Sequence, residues 1–558
     1  MSESWHCWWD YNKDRFLKRQ ARLAEEQSVQ SDSTDFFFGR QSGRLAIDAD
    51  RPGRACVREH VLPALVAALR DDALAVRYRA AVAIGKTGAP EGLPRLLEAL
   101  ADRDELVREG AAMGLALLQH PEARTALLAL LDDGQPARRL LGGRRSTDEL
   151  RGIAAVGLGL LAHAHPGIDA DGALRDALVR QSLDRSHDHH IPMACVAALG
   201  LFRERAEVRR AIAGHLRRVA APGGPAAEWV RAQAVLAVGR LAESSRDAAD
   251  STDVAFLVDV LETSRNAALG RSAALALATA GIGPDGPQPA AVQALGRKLT
   301  AGRDRLTRGF SAISLGHLGG AQAHAMLTLA LFREKQELQV YCGLGLAIAC
   351  GARSARAEAD PERLCSGRER LRAAFERTRS PDARGGFAIA LGIAGDADAG
   401  PMLLAAYRSA RSVRFRGDCA VALGMIGHSA AAGALLDTIR AKYAAPELRE
   451  HTALGLGLLR ARATVPPLVA ALASEPSHAA RIAFTQALGL VGDRTAIAPL
   501  AGLLDSSRHS AHTRAYACWA LGSLGDPRPL GALAPLRANH NYHACCGNFN
   551  AMLVLVDP

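Results

Sequence analysis

The stretch VRYRAAVAIGKTG, residues 76–88, decides the fold, because the chain repeats it. It returns as VRAQAVLAVGRLA (230–242), TRGFSAISLGHLG (307–319), ARGGFAIALGIAG (383–395), LREHTALGLGLLR (448–460), ARIAFTQALGLVG (480–492) and TRAYACWALGSLG (513–525). The frame is an arginine followed eight residues later by a glycine. It is complete at Arg77/Gly85, Arg151/Gly159, Arg231/Gly239, Arg308/Gly316, Arg384/Gly392, Arg416/Gly424, Arg449/Gly457, Arg481/Gly489 and Arg514/Gly522. Partial copies stand at Arg108/Ala116, Pro192/Gly200, Arg271/Thr279 and Gln339/Ala347, giving about 13 units. From Gly392 to Gly522 the glycines fall 32, 33, 32 and 33 residues apart. A fixed period of this length marks a stacked array in which no unit buries its apolar face alone.

Each period holds two helices. In TGAPEGLPRLLEAL (87–100), Pro90 and Gly92 break the chain, and Leu93, Leu96, Leu97 and Leu100 then recur on one helical face. Asp102 or Asp104 in the following turn can cap the next helix. That helix, VREGAAMGLALL, is apolar nearly all round and must be covered on most sides. Three residues after the frame arginine stand mostly small side chains, such as Ala80, Ala111, Ala154, Cys195, Ala234 and Ala517. Small residues there let neighbouring helices cross closely. The second glycine of the motif, as at Gly88 or Gly525, suits a left-handed helix end.

Composition agrees with helices. The 558-residue chain is 49% hydrophobic but only 4% aromatic, and a strand-rich core wants more rings and β-branched residues. The net charge is +10, yet only six of the 68 basic residues are lysines. The arginines are mixed with acids along the chain, so the charge reads as a solvated or structural feature before it reads as a nucleic-acid face. The ten cysteines show no CxxC spacing and mostly fall inside helical segments. No run of 18 apolar residues occurs, so no transmembrane helix is expected. No signal-peptide core is visible, which points to the cytoplasm as written and to export if the natural start lies upstream.

The repeat frame resembles the HEAT-repeat family, in particular the short bacterial HEAT-like repeats also seen in phycobilin lyases. The resemblance covers residues 60–536 and implies an all-α fold, a right-handed α-solenoid with a concave binding surface. Residues 1–59 and 537–558 read as terminal caps, the first covering the opening repeat. The opening W-x-x-W-W of Trp5, Trp8 and Trp9, with FFFG further on, is similar to planctomycete-type HEAT-repeat proteins of unassigned function.

No motif announces a reaction. The chain lacks GxxxxGK[ST], HExxH, G-x-S-x-G and any His-Glu step. No cofactor is implied. The favoured function is a non-catalytic scaffold that binds a protein or peptide along the concave face. The candidate contacts are Trp5, Trp8, Trp9, Arg408, Arg411 and Arg414. A second class is a ligand, metal or enzymatic site on the inserts at 132–149, 162–190 and 351–383, where function tends to sit in a regular array. Its sharpest form is SHDHH (186–190), whose His187, Asp188, His189 and His190 are metal-capable, although a solvated turn explains them too. A third class is nucleic-acid binding through arginine clusters. At the far end, His540, His543, Cys545 and Cys546 match no structural zinc spacing. Trp229 and Trp519 are expected in the core.

Overall fold

The computed structural model describes residues 4–17, 51–184, 189–221, 226–243, 251–283, 286–353, 361–441, 443–505, 508–528, 533–544 and 549. The chain is an all-α solenoid built from helix pairs, with one two-residue hairpin pairing Ile282–Gly283 and Gly286–Pro287 among the described residues. A short helix, α1 (Trp5–Asn12), comes first. The second helices of the repeats are α2 (Leu74–Thr87), α3 (Glu105–Leu118), α4 (Asp148–Ala164), α5 (His190–Leu199), α6 (Glu228–Glu243), α7 (Ala267–Ala280), α8 (Arg305–Leu318), α9 (Gln336–Arg353), α10 (Pro381–Ala394), α11 (Val413–Met425), α12 (Pro446–Leu459), α13 (His478–Val491) and α14 (Ala511–Leu524). Every sequence frame falls on one of them or at its end.

First helices bury one stripe. In Leu93–Ala99, Leu93, Leu96 and the following Leu100 are buried while Leu97 is half-exposed. Second helices are buried nearly all round, as in α3, where eleven of fourteen residues are buried. They start at the slot four before the frame arginine. Ser412, Ser477 and Ser510 each accept a hydrogen bond there from the backbone N–H three residues on. Asp102 and Asp104 do not cap α3 in this way; both carboxylates receive Arg77 instead.

The contacts divide the chain into two units. Unit 1 comprises Met1–Asn12, Pro121–Ala399 and Pro535–Val556, and unit 2 comprises Lys13–His120, Gly400–Ala534 and Asp557–Pro558. In both, frame glycines lie on the residue six places after the next frame slot, Gly489 on Ser523 being an exception. A Cβ on Gly424 of α11 would stand 2.5 Å from the Gly455 carbonyl oxygen of α12. One on Gly200, just after α5, would stand 2.9 Å from Ala237 of α6. This register corrects one sequence assignment. Gly239 of α6 meets Ala276, so the frame slot of α7 is Gly270, not Arg271.

Unit 2 brings together segments far apart in sequence. Gly522 of α14 lies on Ala83 of α2, where an added Cβ would be 2.7 Å from the Ala83 Cα. This is the same glycine-on-sixth-residue crossing that joins consecutive repeats. Arg514 forks onto both carboxylate oxygens of Asp71, at 3.0 and 2.9 Å. Arg79 stacks 3.8 Å from the centre of the Trp519 ring. The last repeat therefore continues into the first. One apolar side of the opening repeat's second helix is thereby covered by α14.

Candidate binding face

The frame arginine is structural. Its guanidinium reaches the C-terminal carbonyls of its own first helix, where the helix dipole is negative, and then an acid of the next repeat. Arg77 donates to the carbonyls of Asp71 and Asp72 at 2.9 and 3.0 Å and pairs with Asp102 at 3.1 Å. Arg308 donates to Leu299 O at 2.8 Å and to Glu334 at 2.7 Å. Arg271, one place after its slot, likewise forks onto Asp304 at 2.9 and 2.7 Å. Burial alone would raise the Asp304 carboxyl, but hydrogen bonds from Arg271 and Thr307 outweigh it and hold the group below its usual range. These arginines are spoken for, so much of the positive charge belongs to the fold.

The residue two places after the frame slot faces a different environment. In unit 1 both chain ends lie across this layer of second helices. Arg240 of α6 donates to the Leu536 carbonyl at 2.7 Å. The Asn541 amide donates to Ala268 O at 3.1 Å and to Ser272 Oγ at 2.9 Å, both on α7. Tyr542 packs edge-on to Phe310 of α8, with ring centres 5.9 Å apart. Tyr11 of α1 stacks on Tyr542 at 5.0 Å, with ring planes 5° apart. Trp5 then reaches α10, where a Cβ on Gly386 would stand 3.2 Å from its Cε2. His6 Nδ1 lies 3.3 Å from Asp382 at the start of the same helix. The two ends thus form one strip that follows the helix order from α6 to α10.

This strip places the aromatic candidates. Trp5 and Trp8 are 0% exposed and Trp9 is 3% exposed, all within unit 1. The arginine candidates lie elsewhere. Arg408 ends its helix exposed, Arg411 is exposed in the next turn, and Arg414 is half-buried in the first turn of α11. Of the histidine turn, His187 and Asp188 lie outside the described residues. His190 is buried with its imidazole against Gly152, whereas His189 is exposed and edge-on to Trp229 at 6.4 Å. Trp229 itself is 43% exposed, contrary to the core reading, while Trp519 is buried under Arg79. His540 is buried; Cys545 and Cys546 lie outside the described residues.

The inserts show built turns. Asp133 accepts the Ser146 N–H at 2.7 Å and pairs with Arg145, tying 132–149 into a closed loop. Asp169 accepts the Leu174 and Arg175 N–H groups at 2.7 and 3.1 Å. One pair missed by sequence reading has the look of a nucleophile and its base. Ser182 Oγ lies 2.9 Å from His215 Nε2, and both residues are buried. The Ser182 hydroxyl, however, donates to the Val179 carbonyl at 2.7 Å, and a carbonyl only accepts. The imidazole must then be the donor to Oγ and cannot take the serine proton. Burial, then the Arg218 charge, pushes the His215 value down, which keeps the ring neutral.

A family model matches part of this repeat array. The family model described as HEAT repeats matches residues 62–142, 440–511 and 465–543. Those segments carry HEAT repeats. The chain is 46% identical over 61 residues to the bilin biosynthesis protein PecE of Mastigocladus laminosus. That match spans 11% of this chain and 23% of the relative's length. Among solved structures, the X-ray structure of YibA from E. coli aligns with 59% of this chain and 99% of its own, at 15% identity and a TM-score of 0.30. The crystal structure of Kap121p bound to Ste12p aligns with 88% of this chain and 59% of its own, at 14% identity and a TM-score of 0.38. No helix of the described residues is long and apolar enough to cross a membrane.

Proposed function

We propose that the HEAT array is a non-catalytic scaffold that binds a protein or peptide segment along its layer of second helices. The observation that carries this reading is the strip of chain ends in unit 1. Two separate segments lie on five successive second helices, one held by hydrogen bonds to Arg240, Ala268 and Ser272, the other by indole packing at Gly386. A face that seats both kinds of segment has the chemistry of peptide recognition, with polar anchors fixing backbone and apolar seats selecting side chains. Peptide-phage selection against the intact chain tests it, followed by hydrogen exchange on the strongest complex. Protection of second helices is the expected result. Selection without a binder, or protection confined to first helices, would refute the reading.

A second reading is a small-molecule role, supported by the 61-residue similarity to a bilin biosynthesis protein. Mixing purified chain with a bilin and following its visible absorbance tests this, and an unchanged spectrum ends it. The metal reading of His187, Asp188, His189 and His190 is checked by equilibrium dialysis against zinc. Retention well below one ion per chain excludes it.

A further inference from the structure

We infer that the N-terminal helix α1 is a built-in ligand of the unit 1 face, displaced by a partner helix that carries tryptophans three residues apart. The inference rests on the peptide-binding reading above and names the class of partner.

Three observations lead to it. First, α1 is eight residues long, too short to hold helical form alone in water. It is helical because Trp5, Trp8 and Trp9 are buried against unit 1. Secondly, the seat has a shape. Neighbouring helices carry Phe310 and Tyr341 two places after their frame slots, but α10 carries Gly386. The missing side chain leaves the space that Trp5 fills, beside Val340. Thirdly, the fit is imperfect. Trp5 Nε1 is buried and donates no hydrogen bond. The large majority of buried side-chain polar atoms in protein interiors have a hydrogen-bond partner.

An imperfect ligand still holds its seat when it is tethered. Attachment to the same chain keeps its effective concentration near the millimolar range, about what a weak helix needs. A partner helix with the same indole spacing and an acceptor for the buried donor competes with it. The C-terminal segment is the fixed half of the strip, because Asn541 and Arg240 anchor it through hydrogen bonds to backbone and side chain.

The test uses the full chain and a labelled synthetic peptide of residues 4–17, followed by fluorescence anisotropy. The Trp5→Ala/Trp8→Ala chain, whose own helix no longer holds the seat, is expected to bind this peptide about 10-fold or more tighter than wild type. Equal binding by a variant with wild-type far-UV circular dichroism overturns the inference. If the variant does not fold, the wild-type chain decides. Excess unlabelled peptide should accelerate amide exchange within residues 5–12, and unchanged exchange overturns the inference. Should phage-selected peptides bind the variant while the 4–17 peptide does not, the built-in ligand fails and the peptide-binding reading stands.

Discussion

Replacing Gly522 by leucine tests the junction between the last and first repeats. The glycine of α14 lies on Ala83 of α2, with an added Cβ 2.7 Å from both the Ala83 Cα and Cβ and 3.1 Å from its carbonyl oxygen. Comfortable carbon contacts begin near 3.5 Å, so the helices must part by roughly 0.8 Å for the first carbon alone. None of these atoms is a flexible side-chain tip that could move aside. Overpacking of this kind costs about 1–3 kcal/mol, and the rest of a leucine side chain pushes toward the upper end. Relief from the helix-interior glycine returns about 0.8 kcal/mol, leaving a net loss of roughly 2 kcal/mol. A chain of two units does not give one two-state stability, so native-state hydrogen exchange is the right assay. Exchange should rise roughly 30-fold in α14, and also in α2, which follows it in space but precedes it by more than 400 residues. If α14 loosens and α2 keeps its protection, the two helices do not form one interface and the reasoning fails.

Three further outcomes follow from the same contacts. Gly502 lies exposed within the helix Ile497–Asp505 with open space around it, so Gly502→Ala should stabilise unit 2 by about 0.5–1 kcal/mol, read from the urea midpoint. Burial raises the Asp71 carboxyl, but the Arg514 hydrogen bond, the Ala73 N–H and the nearby arginine charges outweigh it and hold it below its ordinary value of 3.8. Its contribution is therefore complete above that value and lost as pH falls through the lower folded value; Asp71→Asn should weaken unit 2 at pH 5 and flatten its acid loss in thermal scans. His215 is a base with a depressed value, so the unfolded chain takes up the proton first as pH falls below 6.5. Unit 1 should lose stability from pH 7 toward pH 5, and His215→Gln, which can still donate to Ser182, should lessen that slope, burial and Arg203 having lowered His163 in the same unit as well.

The helix pairs were readable because the period, the caps and the arginine ladder are local. An arginine, the small residue three places on and the glycine eight places on occupy one helix and its immediate neighbour. Where residue type and register disagreed, type misled. Arg271 imitates a frame arginine and even pairs with Asp304, yet the crossing at Ala276 puts Gly270 in the slot. The two ends were not readable. Their aromatic content marked Trp5, Trp8 and Trp9 as special, but nothing in the period says which repeats they meet. The same holds for α14 on α2, because contacts that far apart depend on how small rotations per repeat add up. Trp229 was misread for a different reason. It precedes the frame slot by two, at the helix start, where the stack no longer covers it.

The position two after the frame slot varies widely in side chain along this array. Crossings use the residues six and eight after the slot, the ladder uses the slot itself, and the small column uses the residue three after it. Unit 1 accordingly shows Ser272, Phe310, Tyr341 and Gly386 there, and unit 2 shows Arg79, Asp418, His451 and Tyr516. Gly386→Leu separates the two roles. The added side chain enters the space of Trp5 and of a Val340 methyl, while Gly424 on Gly455 and the other crossings are untouched. Val340, buried and stiff, must shift as well, and the indole, 0% exposed, has nowhere to go except out of its seat. The expected result is a red shift of tryptophan emission with far-UV circular dichroism retained, and a cost of about 1–3 kcal/mol confined to unit 1. A variant that unfolds α9 and α10 together would place Gly386 in the stack itself. A variant with unchanged emission would mean that Trp5 does not sit on it.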